Sequence, residues 1–213
     1  MIRKFGLAIA VTALMNAAPF ALVSDSAVAD DKSDFDALLK EHWARANKEQ
    51  IFFRTDPDTY RPNGKLAEFT KEARDRRAAF NDGVLKRLAD IDEASLSGQD
   101  RVSYKLFKYE RETEAEGYRQ PDHLFPITRL FGYHTYFANA PLNMAFSSAA
   151  DYERYLVSLA DFPRYNRENI GLLEEAVGRG LTHYCASMKG YEATISMHVG
   201  EDAEKSNLYH PFT

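Results

Sequence analysis

The sequence predicts an all-α protein, a multi-helix array interrupted by one long aromatic-rich connecting segment. Three observations carry that expectation. Apolar residues recur with a helical period in separate stretches around residues 34–50, 65–88, 102–109 and 151–199. Start and stop residues punctuate the last of these: Ser148-Ala149-Ala150-Asp151 is a capping box, and Gly178-Arg179-Gly180 is a stop. Between Pro121 and Ser148 the period fails, and aromatic residues, glycine and proline crowd together.

Residues 1–29 read as a secretory signal peptide. Arg3 and Lys4 give the positive start, Phe5 to Met15 an apolar run, and Ala27-Val28-Ala29 a small-x-small cleavage site. The run is short for a membrane anchor, which needs roughly 20 apolar residues, and Asn16 and Pro19 interrupt it. The expectation is export to the periplasm or beyond. Residues 30–213 then form one helical region of 184 residues, with 25 basic and 31 acidic side chains and a net charge of −6. A mildly acidic chain without a basic cluster argues against nucleic acid or an anionic membrane as partner. No later segment is apolar enough to cross a membrane.

Phe35, Leu38, Leu39, His42, Trp43 and Ala46 form one stripe over 34–50. His42 reads there as a packed histidine, since no second metal-type residue follows at helical spacing. Thr55–Gly64 is a loop dense in proline, aspartate and glycine. From Lys65 the helical period resumes at Leu66, Phe69, Ala73, Phe80, Val84 and Leu88. Its charged residues, Lys71 to Arg77, mix both signs and read as a solvated face. A connector at Asp90–Asp100 ends in a second capping box, Ser97 with Asp100, and lacks the ligand pattern of a calcium loop. The next helix carries Val102, Leu106 and Tyr109 before turning acidic.

After the aromatic segment, Tyr152, Tyr155, Leu156 and Leu159 share a helix face. Pro163 is expected to end that helix and begin another, with Ile170, Leu173 and Val177 on one side. A third carries Met188, Tyr191, Ile195 and Val199. Cys185, the single cysteine, reads as a partly buried structural thiol, because His183 two residues away would face another side of a helix.

The aromatic segment is where a cleft is expected, since long connections without a period are often functional. His134 is its strongest candidate: it can hydrogen-bond a substrate carbonyl and titrate near neutral pH. Tyr133 and Thr135 accompany it as substrate-binding candidates. The plainer reading, a loop histidine packed among tyrosines, weighs more, because no partner acid or nucleophile is identifiable. No catalytic residue and no metal ligand are assigned. The chain has no HExxH, GxSxG, GxxxxGK[ST] or GxGxxG motif. His198 stands three residues before Glu201, but Gly200 makes that a helix end.

Several exact residue runs carry a family resemblance: Asp151-Tyr152-Glu153-Arg154-Tyr155-Leu156, Phe162-Pro163-Arg164-Tyr165, Gly190-Tyr191-Glu192-Ala193-Thr194-Ile195, and Glu204-Lys205-Ser206 with Tyr209-His210-Pro211-Phe212. They resemble the bacterial domain-of-unknown-function 885 family. The resemblance covers most of residues 35–213 and departs at Thr182-His183-Tyr184-Cys185, where the family commonly has Thr-x-Pro-Arg. It implies an exported, zincin-like metallopeptidase whose zinc-holding HExxH helix lies downstream of Thr213. This chain would then be the N-terminal, non-catalytic scaffold and cleft wall of a larger helical zincin-like fold. Its partners would be the missing C-terminal catalytic region and a peptide-like substrate. It would hold no cofactor itself, with zinc expected for complete family members. The apolar C-terminal end agrees, since four anchors per helix are worth about 6–12 kcal/mol when fully buried. The alternative is a self-sufficient periplasmic helical binding module, with an aromatic pocket built from Phe125 to Phe146.

Overall fold

The computed structural model describes residues 25–48, 60–62, 64–200 and 202–213, with backbone alone at 25–30. Residues 1–24 of the expected signal peptide, most of the Thr55–Gly64 loop and Glu201 lie outside the described residues. Those described form helices joined by turns, with isolated bridges and no strand. None of these helices is long and apolar enough to cross a membrane.

Helix α1 (Asp25–Lys48) buries Phe35 and Leu38 and half-buries Leu39 and His42. Trp43, expected in the same stripe, is exposed, since it sits about 100° further round than His42. Helix α2 (Lys71–Ala89) starts later than the period from Lys65 implies. Thr70 is its N-cap, the hydroxyl accepting from the Ala73 N–H at 3.2 Å. Residues 65–70 are irregular because tertiary partners take their backbone groups. Asp161 accepts from the Leu66 N–H at 2.8 Å and Glu168 from the Phe69 N–H at 2.7 Å. Arg164 donates to the Leu66 and Ala67 carbonyls at 3.1 and 3.2 Å.

Helix α3 (Gly98–Arg119) follows the expected connector, but the Ser97 side chain makes no cap bond, and Asp100 pairs with Lys32 of α1 at 3.5 Å. Its buried residues are Tyr104 and Phe107. Val102, Leu106 and Tyr109, the expected core stripe, are 58–66% exposed. The face bearing Tyr104 and Phe107 is the one buried, and its polar group is satisfied: the Tyr104 hydroxyl donates to the Leu88 carbonyl at 2.7 Å, with its ring 5.7 Å from Phe35. These residues, with Val84, Leu88, Ile91 and Leu96, make the first core.

The aromatic connection is not formless. It contains a 3₁₀ turn at Pro121–Leu124, helix α4 (Tyr133–Asn139) and a second 3₁₀ turn at Ala140–Asn143. Helix α5 (Ala149–Gly178) then runs unbroken through Pro163, where a new helix was expected. Proline in a helix interior costs about 3 kcal/mol. Burial of Tyr155 and Tyr165 on either side, at about 1.5–3 kcal/mol per large side chain, holds both halves in line. The core face of α5 is Asp151, Tyr155, Ser158, Tyr165, Asn169 and Ala176, while Leu156, Ile170 and Val177 are exposed. Tyr155 and Tyr165 join Leu66 and Phe137 in the second core, with Phe69, Tyr133, Phe146 and Phe162 packed around them.

The predicted stop holds. Gly180 has φ +71, and the Leu181 N–H reaches the Ala176 carbonyl at 2.8 Å, the long bond of a Schellman ending. The expected third helix is instead two short ones, α6 (Cys185–Met188) and α7 (Glu192–Ser196). Gly190 between them has φ +84, a left-handed conformation that breaks the helical run. Cys185 is exposed, not partly buried.

The Ser148–Asp151 capping box forms, and its strength lies in the carboxylate. Asp151 is fully buried and accepts from the Ser147 N–H (2.9 Å), the Ser148 N–H (2.8 Å) and the Ser148 hydroxyl (2.8 Å). Arg154 pairs with it, and Arg61 lies at 3.8 Å. Burial alone would raise its pKa. The hydrogen bonds from Ser148 and Ser147, with Arg61, outweigh that and hold it at about 2. A carboxyl depressed on folding stabilises the protein above its unfolded pKa, near 3.8, and loses that contribution as the pH falls through about 2. Asp151→Asn will therefore lower the melting temperature at pH 7 and flatten the loss of stability between about pH 4 and pH 2. An acid-unfolding curve by circular dichroism that keeps its shape in the variant would refute the assignment.

Candidate ligand-binding cleft

A cavity of about 650 Å³ opens where residues of the two cores face one another. That is ample for a small organic ligand, since such sites run from about 300 to 1,000 Å³. Its walls are aromatic. Phe69, Phe80 and Tyr118 come from the α2 and α3 side, Tyr165 from α5, and Phe125, Phe131, Tyr133 and Tyr136 from the aromatic connection. Tyr165 stands edge-on to Phe69 and Tyr133 at 5.5 and 5.7 Å, and Phe131 stacks on Tyr136 at 6.1 Å.

Four arginines enter the same space: Arg45 of α1, Arg74 and Arg77 of α2, and Arg111 of α3. Glu114 and Asp122 are the acids that line it, so the cavity is cationic although the chain carries a net charge of −5. Arg45 lies over the Phe80 ring at 4.7 Å, and Arg111 over Phe107 at 5.3 Å. Arg111 is also paired with Glu114, which accepts the Tyr118 hydroxyl at 2.8 Å. Arg74 is held differently. Its Nη2 donates to the carbonyls of Gly117, Tyr118 and Gln120 at 3.4, 2.7 and 3.2 Å, anchored by the C-terminal end of α3.

The charge run at Lys71–Arg77 is thus divided by the helix period. Lys71 pairs with Asp75 and Arg76 with Glu68 on the exposed side. Arg74 and Arg77 turn inward, which the mixed signs of the run concealed. Two histidines also line the cavity, and both are held below the ordinary imidazole pKa. Burial is the main cause for each, followed by Arg111 beside His42 and Arg74 beside His123. His42 packs on Phe80 and Phe107 as the packed-histidine reading expects, and the cavity reaches it as well.

Of the three candidates read from the sequence, Tyr133 lines the cavity, its hydroxyl donating to Asn166 Oδ1 at 2.8 Å. His134 and Thr135 are not among the lining residues. His134 Nε2 lies 2.9 Å from Thr194 Oγ1, which in turn donates to the Tyr191 carbonyl at 2.6 Å. With that hydroxyl proton committed, the imidazole Nε2 is the donor. Burial, then the nearby His198, keeps its pKa below the usual value. Thr135 closes the first turn of α4, donating to the Gly132 carbonyl at 2.9 Å and accepting from the Gly132 N–H at 3.2 Å.

The rim of the cavity is a tight turn, Thr128–Phe131, closed by an Ile127–Gly132 bridge. Gly132 is required there on steric grounds. A Cβ would stand 2.8 Å from both Ile127 Cγ2 and His134 Cε1. Gly132→Ala should cost about 1–3 kcal/mol, the usual range for an overpacked site. A urea midpoint within error of the parent would show that this turn is not fixed as described.

Among the described residues, no group of three or more His, Cys, Asp or Glu side chains is placed to hold a metal ion. The described residues do not fit a zinc centre.

The profile of the bacterial protein family of unknown function, DUF885, matches residues 53–213. The chain belongs to this family. No curated protein and no solved structure matches it at a significant level. In this DUF885 chain the motif runs have structural work to do. Phe162-Pro163-Arg164-Tyr165 supplies the clamp on residues 65–70 and one wall of the cavity. Gly190–Ile195 supplies the Thr194 that fixes His134. Leu208, beside Tyr209-His210-Pro211-Phe212, offers its carbonyl to the Tyr155 hydroxyl at 2.7 Å. The α1 residues at the cavity, His42 and Arg45, lie before the matched region.

Proposed function

We propose that this chain is the substrate-holding, non-catalytic portion of an exported DUF885 protein that acts on peptide-like molecules. Hydrolysis would use zinc carried by another part of the protein. The observation that carries this reading is the cavity, with aromatic walls for an apolar side chain and guanidinium groups for polar ends. Tyr133 belongs to the holding surface, while His134 and Thr135 fix the frame beside it. Support for a further covering part comes from apolar side chains left on two helices: Val102, Leu106 and Tyr109 on α3, and Leu156, Ile170 and Val177 on α5. The test is calorimetry and a peptide-cleavage assay on the full chain. Saturable binding of short hydrophobic peptides without cleavage is expected. Stoichiometric zinc binding together with peptidase activity would overturn the reading.

A self-sufficient binding module is the second reading, resting on the four rings that the aromatic connection brings to the cavity, Phe125, Phe131, Tyr133 and Tyr136. Solution behaviour separates the two. A monomer that melts in one cooperative step favours the module, whereas aggregation or molten behaviour favours a portion that needs its partner.

A further inference from the structure

We infer that the cavity recognises the C-terminal end of a peptide, taking its carboxylate, its last amide N–H and an apolar last side chain together. This deepens the substrate-holding reading and rests on it. Among the described residues, three buried polar atoms at this cavity have no hydrogen-bond partner: Arg111 Nε, His123 Nδ1 and Asn169 Oδ1. Their residues come from α3, the Pro121–Leu124 turn and α5, yet all three line this one cavity. A buried orphan atom is destabilising, and three around one space point to a missing partner with matching groups.

Their chemistry says which groups. Arg111 Nε is a donor and suits an acceptor such as a carboxylate oxygen, while His123 Nδ1 donates or accepts according to its tautomer. Asn169 donates its amide nitrogen to the Tyr165 carbonyl at 2.8 Å, which leaves Oδ1 as an acceptor in need of an N–H. Asn169 is fully buried on the α5 face beside Tyr165, so this demand is fixed in place. A simple anion would leave it unmet.

Arg74 completes the set. All of its side-chain hydrogen bonds leave from Nη2, and it has no carboxylate partner among the described residues. Its guanidinium is therefore oriented by three carbonyls while Nε–H and Nη1–H remain available, each as a single charge-assisted donor to a carboxylate oxygen. His123 is close enough to Arg74 for that charge to depress its own protonation, so the two sit in one neighbourhood. The 3₁₀ turn bearing His123 packs against α5, which bears Asn169. Carboxylate donors and an N–H acceptor thus flank aromatic walls that would take a side chain. The last residue of a peptide carries all three features within a few bonds.

The experiment is calorimetry on the full chain with three small probes. N-acetylphenylalanine presents carboxylate, N–H and ring; N-acetylphenylalanine amide lacks the carboxylate; 3-phenylpropionate lacks the N–H. N-acetylphenylalanine should bind about tenfold or more tightly than its amide, with 3-phenylpropionate also weaker, as expected when a charge-assisted hydrogen bond is lost. Arg74→Gln should abolish the preference for acid over amide. Asn169→Leu should instead abolish the preference for N-acetylphenylalanine over 3-phenylpropionate. Melting curves identify any variant that fails to fold, and Arg74→Lys provides a milder change at the same place, expected to reduce the preference.

Equal affinity for acid and amide would overturn the inference and leave the substrate-holding reading standing. Equal affinity for 3-phenylpropionate and N-acetylphenylalanine would overturn the peptide end in favour of a simple aryl carboxylate. Failure of all three probes to bind would remove both.

Discussion

Tyr155→Ala will cost about 3–5 kcal/mol of stability, the range for emptying a large aromatic site in a packed core. Tyr155 is fully buried at the middle of the second core, with Phe146 edge-on at 5.4 Å and Phe212 at 6.1 Å. Its hydroxyl donates to the Leu208 carbonyl, so the side chain ties α5 to the final turn, Asn207–Phe212, as well as filling space. Burial pushes the phenol pKa up, so the group remains a donor across the physiological range. Tyr155→Phe separates the two contributions. It keeps the ring and removes the donor, and should cost about 1 kcal/mol. For a chain of this size the alanine variant should melt about 10 °C lower. An alanine variant no less stable than the phenylalanine one would mean that the ring is not packed as described.

The same residue shows how far sequence reading reaches. Helical periods located every long helix among the described residues, because amphipathic burial writes itself at a spacing of about 3.6 residues. They did not choose the face. Tyr155 was read together with Leu156, yet only Tyr155 is buried, because the core face of α5 is set by aromatic rings and hydrogen-bonded polar groups. On α3 the apolar stripe at Val102, Leu106 and Tyr109 obeys the period as well as Tyr104 and Phe107 do. Which stripe is buried depends on what α1 and α2 present to it.

The cleft was legible in part. The aromatic connection drew attention through its composition, and four of its rings do line the cavity. Phe137 and Phe146, from the same stretch, went into the core instead. Arg74, Arg111, His123 and Asn169 escaped notice because each is ordinary in its local context: a charge in a mixed run, another in an acidic helix, a polar residue in a turn, an asparagine on a helix. Their meaning comes from convergence, which distant segments acquire only on folding. Pro163 misled for a related reason. Its local preference was read correctly and was outweighed by tertiary burial on both sides.

Arg164→Ala will cost about 3 kcal/mol, the lower end of the range for breaking a buried ion pair. Arg164 is only 30% exposed in its side chain and joins two carboxylates that are 14% and 16% exposed. Its Nε and Nη2 meet both oxygens of Asp161 at 2.8 and 2.7 Å, and its Nη1 meets Glu168 at 2.8 Å. Those same acids hold the N–H groups of Leu66 and Phe69, while Arg164 holds the carbonyls of Leu66 and Ala67. Removing the guanidinium strands two partly buried carboxylates and loosens the segment that carries Phe69 to the cavity wall. Lysine should restore only a minor part, because one ammonium cannot reproduce the fork that serves Asp161, Glu168 and two carbonyls at once. The pH dependence gives the diagnostic. Arg164 first, and the Leu66 N–H after it, hold the Asp161 pKa below the ordinary carboxylate range against the effect of burial. The parent therefore keeps this stabilisation above about pH 4 and loses it as acid protonates Asp161. The stability gap between parent and Arg164→Ala should accordingly be widest near neutral pH and narrow on acidification. A gap that stays constant down to about pH 2 would assign the loss to packing and not to the ion pair.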